Sequence, residues 1–281
     1  MLRTRSPVRP LSHLECDAAL ELCARDLPAN VFAASRVIEA SRTGAFGSIL
    51  AHVEDGELSS LCWASANVVP VETVTEDRSA YAERLRRWRS RCASVFGPRE
   101  AVSDLWGQLE PAWGRPRAIR ASQPLLATTT PPSALGVQLD PRVRPARPDE
   151  VDRVVPAAAH MFTAEIGYPP YSGSGRGYRS AVAGLISAGH TYVVVEEGEV
   201  IFKTDVGSLA LGCAQLQGVW VTPRLRGHGL AAPMLATVVE HLMAGPAPMV
   251  CLYVNDFNAA ARAAYARLGF TEVGEFTTIL L

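Results

Sequence analysis

One stretch limits the possible folds of this chain more than any other: Val219-Trp220-Val221-Thr222-Pro223-Arg224-Leu225-Arg226-Gly227-His228-Gly229-Leu230-Ala231. Gln217, Val219 and Val221 alternate with Gly218, Trp220 and Thr222, the period of a strand that stops at Pro223. Leu230, Met234, Leu235, Val238, Val239 and Leu242 then recur at helical spacing, with Pro233 in a first turn that tolerates a missing N–H. Two glycines therefore lie between a strand and a helix N-terminus. There the first backbone N–H groups have no partner inside the helix, and the positive end of the dipole adds to them. Without side chains, Gly227 and Gly229 let an anion approach that backbone, and Arg224 and Arg226 can pair with phosphate oxygens from the sides. A pyrophosphate fits this arrangement. So does a plain turn that needs glycine for its conformation, flanked by two solvated arginines.

The rest of the composition narrows the partners. With 281 residues, 48% of them hydrophobic, the chain suffices for one large domain or two ordinary ones. The 27 basic and 28 acidic residues leave a net charge of -1, so no field calls for nucleic acid or a membrane surface, and a small, locally recognised partner is expected. Nearly all basic residues are arginine, and Lys203 is the only lysine. The dense Arg84–Arg91 run therefore reads as a solvated helix face. Six cysteines without a CxxC pair, six histidines without an H-x-x-x-H pair, and no hydrophobic leader lead to the expectation of a cytoplasmic protein without a metal.

Periodicity and turn residues order the elements. In the first half, helices at 13–24 and 31–42 precede strands at Ser48–Val53 and Leu58–Ala64, joined across Asp55-Gly56. A strand at 66–72, a helix at 79–91, a strand at 94–96, a helix at 100–109 and a strand at 117–127 follow. A Pro- and Thr-rich stretch then marks a linker, placed at 131–141. The second half repeats this order: a short strand at 143–145, helices at 149–165 and 176–188, a hairpin of 192–196 and 200–205, a strand at 212–222, a helix at 229–243, a strand at 249–254, a helix at 259–267 and a strand at 271–281. Little identity is apparent between the halves.

The turn contains Arg224-x-x-Gly227-x-Gly229, and the whole stretch resembles V-x-P-x-x-R-G-x-G-x-A, the cofactor signature of the GNAT superfamily of N-acetyltransferases. Downstream, Asn258, Ala261, Tyr265, Gly269 and Phe270 are similar to its second signature, N-x-x-A-x-x-x-Y-x-x-x-G-F. The resemblance covers residues 142–281 with specific motifs and the first half by element order alone. It implies an α/β (α+β) protein of two GNAT-like domains, each a mixed, mostly antiparallel central sheet flanked by helices. Residues 1–130 would form a divergent domain without a CoA site, and 142–281 an N-acetyltransferase domain. The implied reaction is direct transfer of acetyl from acetyl-CoA, a cosubstrate, to a primary amine on a small molecule or peptide. The same resemblance leaves room for mycothiol-synthase-like acetylation of a cysteinyl amine, and for an acyl-CoA-binding sensor without catalysis. An oligomer is compatible with it.

By this resemblance the backbone of Val219 and Val221 would meet the pantetheine arm, and Arg224, Arg226, Gly227, His228, Gly229, Leu230 and Ala231 would hold the pyrophosphate. Asn258 would cap the following helix and reach the cofactor. Tyr265, two turns further on the same helical face, would give a proton to the leaving thiolate, although such a ring also serves as ordinary core. The strand before the turn offers Gln215 and Gln217 where a carboxylate base is common in the family, and neither accepts a proton. Glu165 is the candidate for amine recognition or water-mediated deprotonation, a solvent-facing helix end being its plainer reading. Lys203 and Asp205 fit either the cleft or a surface pair. Ahead of the first half's equivalent helix stand Glu72, Glu76 and Asp77 with no glycine, a sequence that would cap its own N–H groups and repel phosphate.

Overall fold

A computed structural model describes residues 7–281. In chain order the elements are β1 (Val8–Pro10), α1 (Cys16–Ala24), α2 (Leu27–Thr43), β2 (Ile49–Glu54), β3 (Glu57–Ala64), β4 (Asn67–Val71), α3 (Thr75–Leu85), β5 (Ser94–Pro98), α4 (Arg99–Trp113) and β6 (Ala118–Thr128). They continue with β7 (Arg144–Pro145), α5 (Val151–Ile166), α6 (Arg176–Ser187), β8 (Thr191–Glu196), β9 (Glu199–Ala210), β10 (Cys213–Val221), α7 (Ala231–Met243), β11 (Met249–Tyr253), α8 (Ala259–Arg267) and β12 (Thr271–Leu280). Local chemistry sets many of these limits. The Asp26 side chain accepts from the Ala29 N–H at the start of α2, and Gly44, at φ 75°, ends it in the left-handed conformation.

The chain divides into two compact units. The first comprises residues 1–126, 253–258 and 272–281, the second 127–252 and 259–271. In the first, the strand order is β1-β2-β3-β4-β5-β12-β6; in the second it is β11-β10-β9-β8-β7. Each run of strands is mostly antiparallel and contains a parallel pair, β4 with β5 or β10 with β11, joined by a helix, α3 or α7. Leu85, Leu105 and Tyr81 anchor the core of the first unit, and Val154, Val182, Ile186 and Val193 that of the second.

The two halves share more than element order. Val8-Arg9-Pro10 and Val143-Arg144-Pro145 are each followed by a glutamate, Glu15 and Glu150, at the same distance. In both, the arginine donates from Nη1 and Nη2 to both carboxylate oxygens, at 2.6–2.7 Å, and the same carboxylate accepts from a backbone N–H, of Ser12 or Arg147. This repeated V-R-P-x-x-x-x-E is legible in the sequence, and element order alone overlooks it.

Several expectations change. The helix expected at 79–91 runs over Thr75–Leu85, and the arginines beyond it pass into a short 3-10 turn, Arg89–Arg91, so the basic run is no helix face. The strand expected at 200–205 continues to Ala210. The stretch 131–141 is strapped to α7: the Ser133 hydroxyl donates to Glu240 at 2.6 Å, and the Asp140 N–H to the Thr237 hydroxyl at 2.8 Å. The terminal strand β12, expected within the second half, belongs to the first unit, where Phe276–Leu280 pair antiparallel with Ser94–Pro98. Alternation shows that a strand exists; which edge it joins depends on residues far away in sequence.

Candidate active site

The site is built where β10 leaves its parallel neighbour. Cys213, Ala214 and Gln215 pair with Met249, Val250 and Cys251, and β10 then runs on to Val221 with no further pairing to β11. On its other edge β10 stays with β9 but carries an irregularity. Gln217 lies opposite Asp205 and Trp220 opposite Lys203, so three steps on one strand match two on the other. This bulge falls at Gly218, whose φ of 61° a side chain would strain, and a Cβ there would meet Met161 Cε of α5 at 2.8 Å. A bulge turns backbone groups away from the ladder, here at the half-buried Val219.

Beyond the strand, Pro223–Leu225 make a short 3-10 turn and Gly227 and Gly229 take φ values of 80° and 76°. On the side where a Cβ would project from either glycine there is open space to at least 4 Å. No side chain caps the start of α7, and its first turn holds no acidic residue. The loop is exposed: Arg224 makes a surface pair with Glu199 at 3.2 Å, Arg226 Nε donates to the Val221 carbonyl at 2.9 Å, and His228 Nδ1 lies 2.9 Å from the Arg226 carbonyl. Such a concave turn of uncapped N–H groups with guanidiniums beside it fits a pyrophosphate. Val221 is buried, and Leu230 and Ala231 are half-buried at the helix entrance.

On α8, Tyr265 is buried at 7% exposure, its ring 5.9 Å from that of Phe270. Burial pushes its phenol well above the ordinary value, and the Glu165 charge pushes it further. Glu165 itself is exposed on the last turn of α5. Asn258 directly precedes α8, and its N–H donates to the Asn255 carbonyl at 2.9 Å.

Sequence reasoning placed Lys203 and Asp205 on a surface or in a cleft; they form a buried pair. Lys203 is 1% and Asp205 6% exposed, Lys203 Nζ donates to Asp205 Oδ2, and the Thr191 hydroxyl donates to Oδ1 at 2.8 Å. The pair sits beneath the bulge, with Lys203 Nζ 3.2 Å from where a Gly218 Cβ would be. That the one lysine of an arginine-rich chain falls inside an alternating strand was the available signal. Nearby, the side-chain nitrogen of Gln215 is buried with no hydrogen-bond partner, an unusual cost at the point where β10 and β11 part.

The model of the acetyltransferase (GNAT) family matches residues 161–270. The stretch 161–270 is thus a GNAT-family domain within the second half of this chain. Residues 47–154 match a domain of unknown function, DUF4081. A solved Drosophila protein is similar over 98% of this chain and 99% of its own, at 14% identity and a TM-score of 0.67. A GCN5-related N-acetyltransferase from Sphaerobacter thermophilus is similar over 96% and 93%, at 18% identity and 0.59. A tandem GNAT protein from the clavulanic acid biosynthesis pathway is similar over 97% and 98%, at 15% identity and 0.56. At these identities the likeness is one of fold, and it extends over both halves. Among the described residues, no three His, Cys, Asp or Glu side chains gather as a metal site, and no helix is long and apolar enough to cross a membrane.

Proposed function

We propose that the second half transfers an acetyl group from acetyl-CoA to a primary amine by direct attack of the nitrogen on the thioester carbonyl. The observation that carries this reading is the pairing of an uncapped α7 N-terminus behind Gly227 and Gly229 with a β10 that parts from β11 after Gln215. Together they supply an anion cradle at one end of an open strand edge. Acetyl-CoA supplies an activated acyl group. Gly227, Gly229 and the entrance of α7 hold its pyrophosphate, with Arg224, Arg226 and His228 at the rim and Asn258 as a further contact. The backbone at Val219 and Val221 aligns the pantetheine arm, and an N–H at the bulge faces the oxygen on which negative charge develops.

Glu165 receives the incoming ammonium and takes its proton directly or through a water. The C–N bond forms, the C–S bond breaks, Tyr265 gives its proton to the departing thiolate, and the second proton of the acylated nitrogen returns to the phenolate through water. The burial that raises its phenol keeps that proton in place at neutral pH. In the first unit the first turn of α3 carries Glu76 and Asp77, whose charge would repel a phosphate, and this supports a structural part for that half.

Calorimetry with acetyl-CoA tests the reading, comparing the intact protein with Gly229→Glu, followed by amine-dependent release of CoA. One equivalent bound by the intact protein, none by the variant, and release that requires an amine are expected. Absence of binding to the intact protein overturns the proposal, and tight binding without turnover on any amine turns it into a sensor.

A further inference from the structure

The segment between α5 and α6 carries an aromatic cluster that the proposed chemistry does not use. Phe162 meets Tyr168 edge to face at 5.8 Å and Tyr178 at 6.5 Å, and Tyr178 lies 5.5 Å from Tyr171. Such contacts are usually closed into a core, yet Tyr168 and Tyr171 remain 37% and 41% exposed. Their placement is set by the backbone. Gly175, at φ 62°, lies under Tyr171, whose ring atoms come within 2.8 Å of where a Cβ would stand, so only glycine seats that ring.

The cluster adjoins the bulge. Met161, the residue before Phe162, has its Cε 2.8 Å from where a Gly218 Cβ would stand. Burial raises the Tyr178 phenol to about 12, and the charge of Asp205, opposite Gln217 on β9, contributes. Glu165 follows Phe162 by three residues on the same helix, and its charge is felt at Tyr265. One carboxylate and four rings thus lie on the segment that follows Met161, whose tip stands at the bulge. Between Met161 and Tyr178 Glu165 is the only acidic residue, and Arg176 is the only basic one.

From this arrangement we infer that the acceptor is a primary amine carried on a single aromatic body, its ammonium on Glu165 and its ring among Phe162, Tyr168, Tyr171 and Tyr178. A polycation finds a single carboxylate, Glu165, on the segment that carries these rings. Rings that present both faces and edges favour a flat apolar group over a hydrated chain. The inference rests on the acyl-transfer reading and specifies its acceptor.

The experiment uses the full-length protein and three amines, phenethylamine, spermidine and n-butylamine. CoA release is measured at saturating acetyl-CoA, and amine binding by calorimetry in the presence of CoA. Phenethylamine is expected to exceed the other two at least tenfold in kcat/KM and to bind measurably. Tyr171→Ala raises its KM about tenfold, while the KM for acetyl-CoA and the melting temperature stay unchanged. Tyr168→Ala does the same to a smaller degree, and Glu165→Gln weakens all three amines alike. A preference for spermidine, a Tyr171→Ala variant with an unaltered KM, or acetyl-CoA binding with no aromatic amine bound or turned over overturns the inference and leaves the cofactor site standing. Failure of acetyl-CoA to bind overturns the acyl-transfer reading together with it.

Discussion

The helix that follows β10 and the helix that follows β4 hold the same place in the order of their units, and their first turns are finished in opposite ways. At α7 two glycines with positive φ lead in, no side chain caps the helix, and its first turn is free of acidic residues. At α3 the entering residue with positive φ is Glu72, at 52°, which accepts from the Asn30 side chain at 2.8 Å. Asp77 accepts from the Val74 N–H at 3.3 Å, and the buried Arg78 donates to the Thr73 carbonyl at 2.7 Å. Neither helix has a capping side chain over its first N–H groups, but the first turn of α7 carries no acidic residue whereas that of α3 carries Glu76 and Asp77, which set negative charge against the dipole themselves. A repeated order of elements therefore does not repeat the charge of its turns.

The strongest way to break this contrast is to make α7 resemble α3. Gly229→Glu sets a carboxylate on a strained, positive-φ position at the cradle, and acetyl-CoA binding by calorimetry is expected to fall below detection. A second contrast concerns two buried polar pairs, Lys203–Asp205 under the bulge and His52–Asp77 in the first unit, the latter at 3.0 Å. Lys203→Met leaves Asp205 buried without its cation, and urea denaturation should register a loss of about 3–5 kcal/mol. Replacing both partners by apolar residues should recover part of it.

Removing the phenol sharpens the comparison at the level of chemistry. Tyr265→Phe is expected to lower kcat about 100-fold with the KM for acetyl-CoA unchanged, as loss of a proton donor that acts only during reaction would. At α3 the converse change, Asp77→Ala, should cost about 1–2 kcal/mol of stability by urea denaturation without altering acetyl-CoA affinity.

The repeated arginine–glutamate pairs give the smallest effects. Glu150 is buried, and its hydrogen bonds to Arg144 hold its carboxyl down at about 2, below the ordinary value of about 4.3. Its stabilising contribution is therefore full above about pH 4.3 and is lost as pH falls toward about 2. Glu150→Gln should flatten that acid limb. Glu15→Gln, at a pair whose arginine is 44% exposed, should change stability by less than about 1 kcal/mol.

How much of this was legible beforehand follows from the range of each interaction. The turn around Gly227 and Gly229, the strand before it and the helix after it come from preferences that act within a few residues. The spacing from Asn258 to Tyr265 is likewise a property of one helix. The V-R-P-x-x-x-x-E repeat was also present in the letters. Three things were not: the home of β12, the depth of Lys203 and Asp205, and the Glu165 charge that adds to the rise of the Tyr265 phenol. A strand of given alternation can join any free edge, and a charged pair spaced two apart on a strand has the same letters whether the face above it is water or α5 and α6. The sequence by itself determined where the backbone must turn, which residues lie on one face of a helix, and which family's signatures it carries. The tertiary structure decided which groups lose water and which charges meet, because desolvation and long-range pairing are set by neighbours distant in the chain.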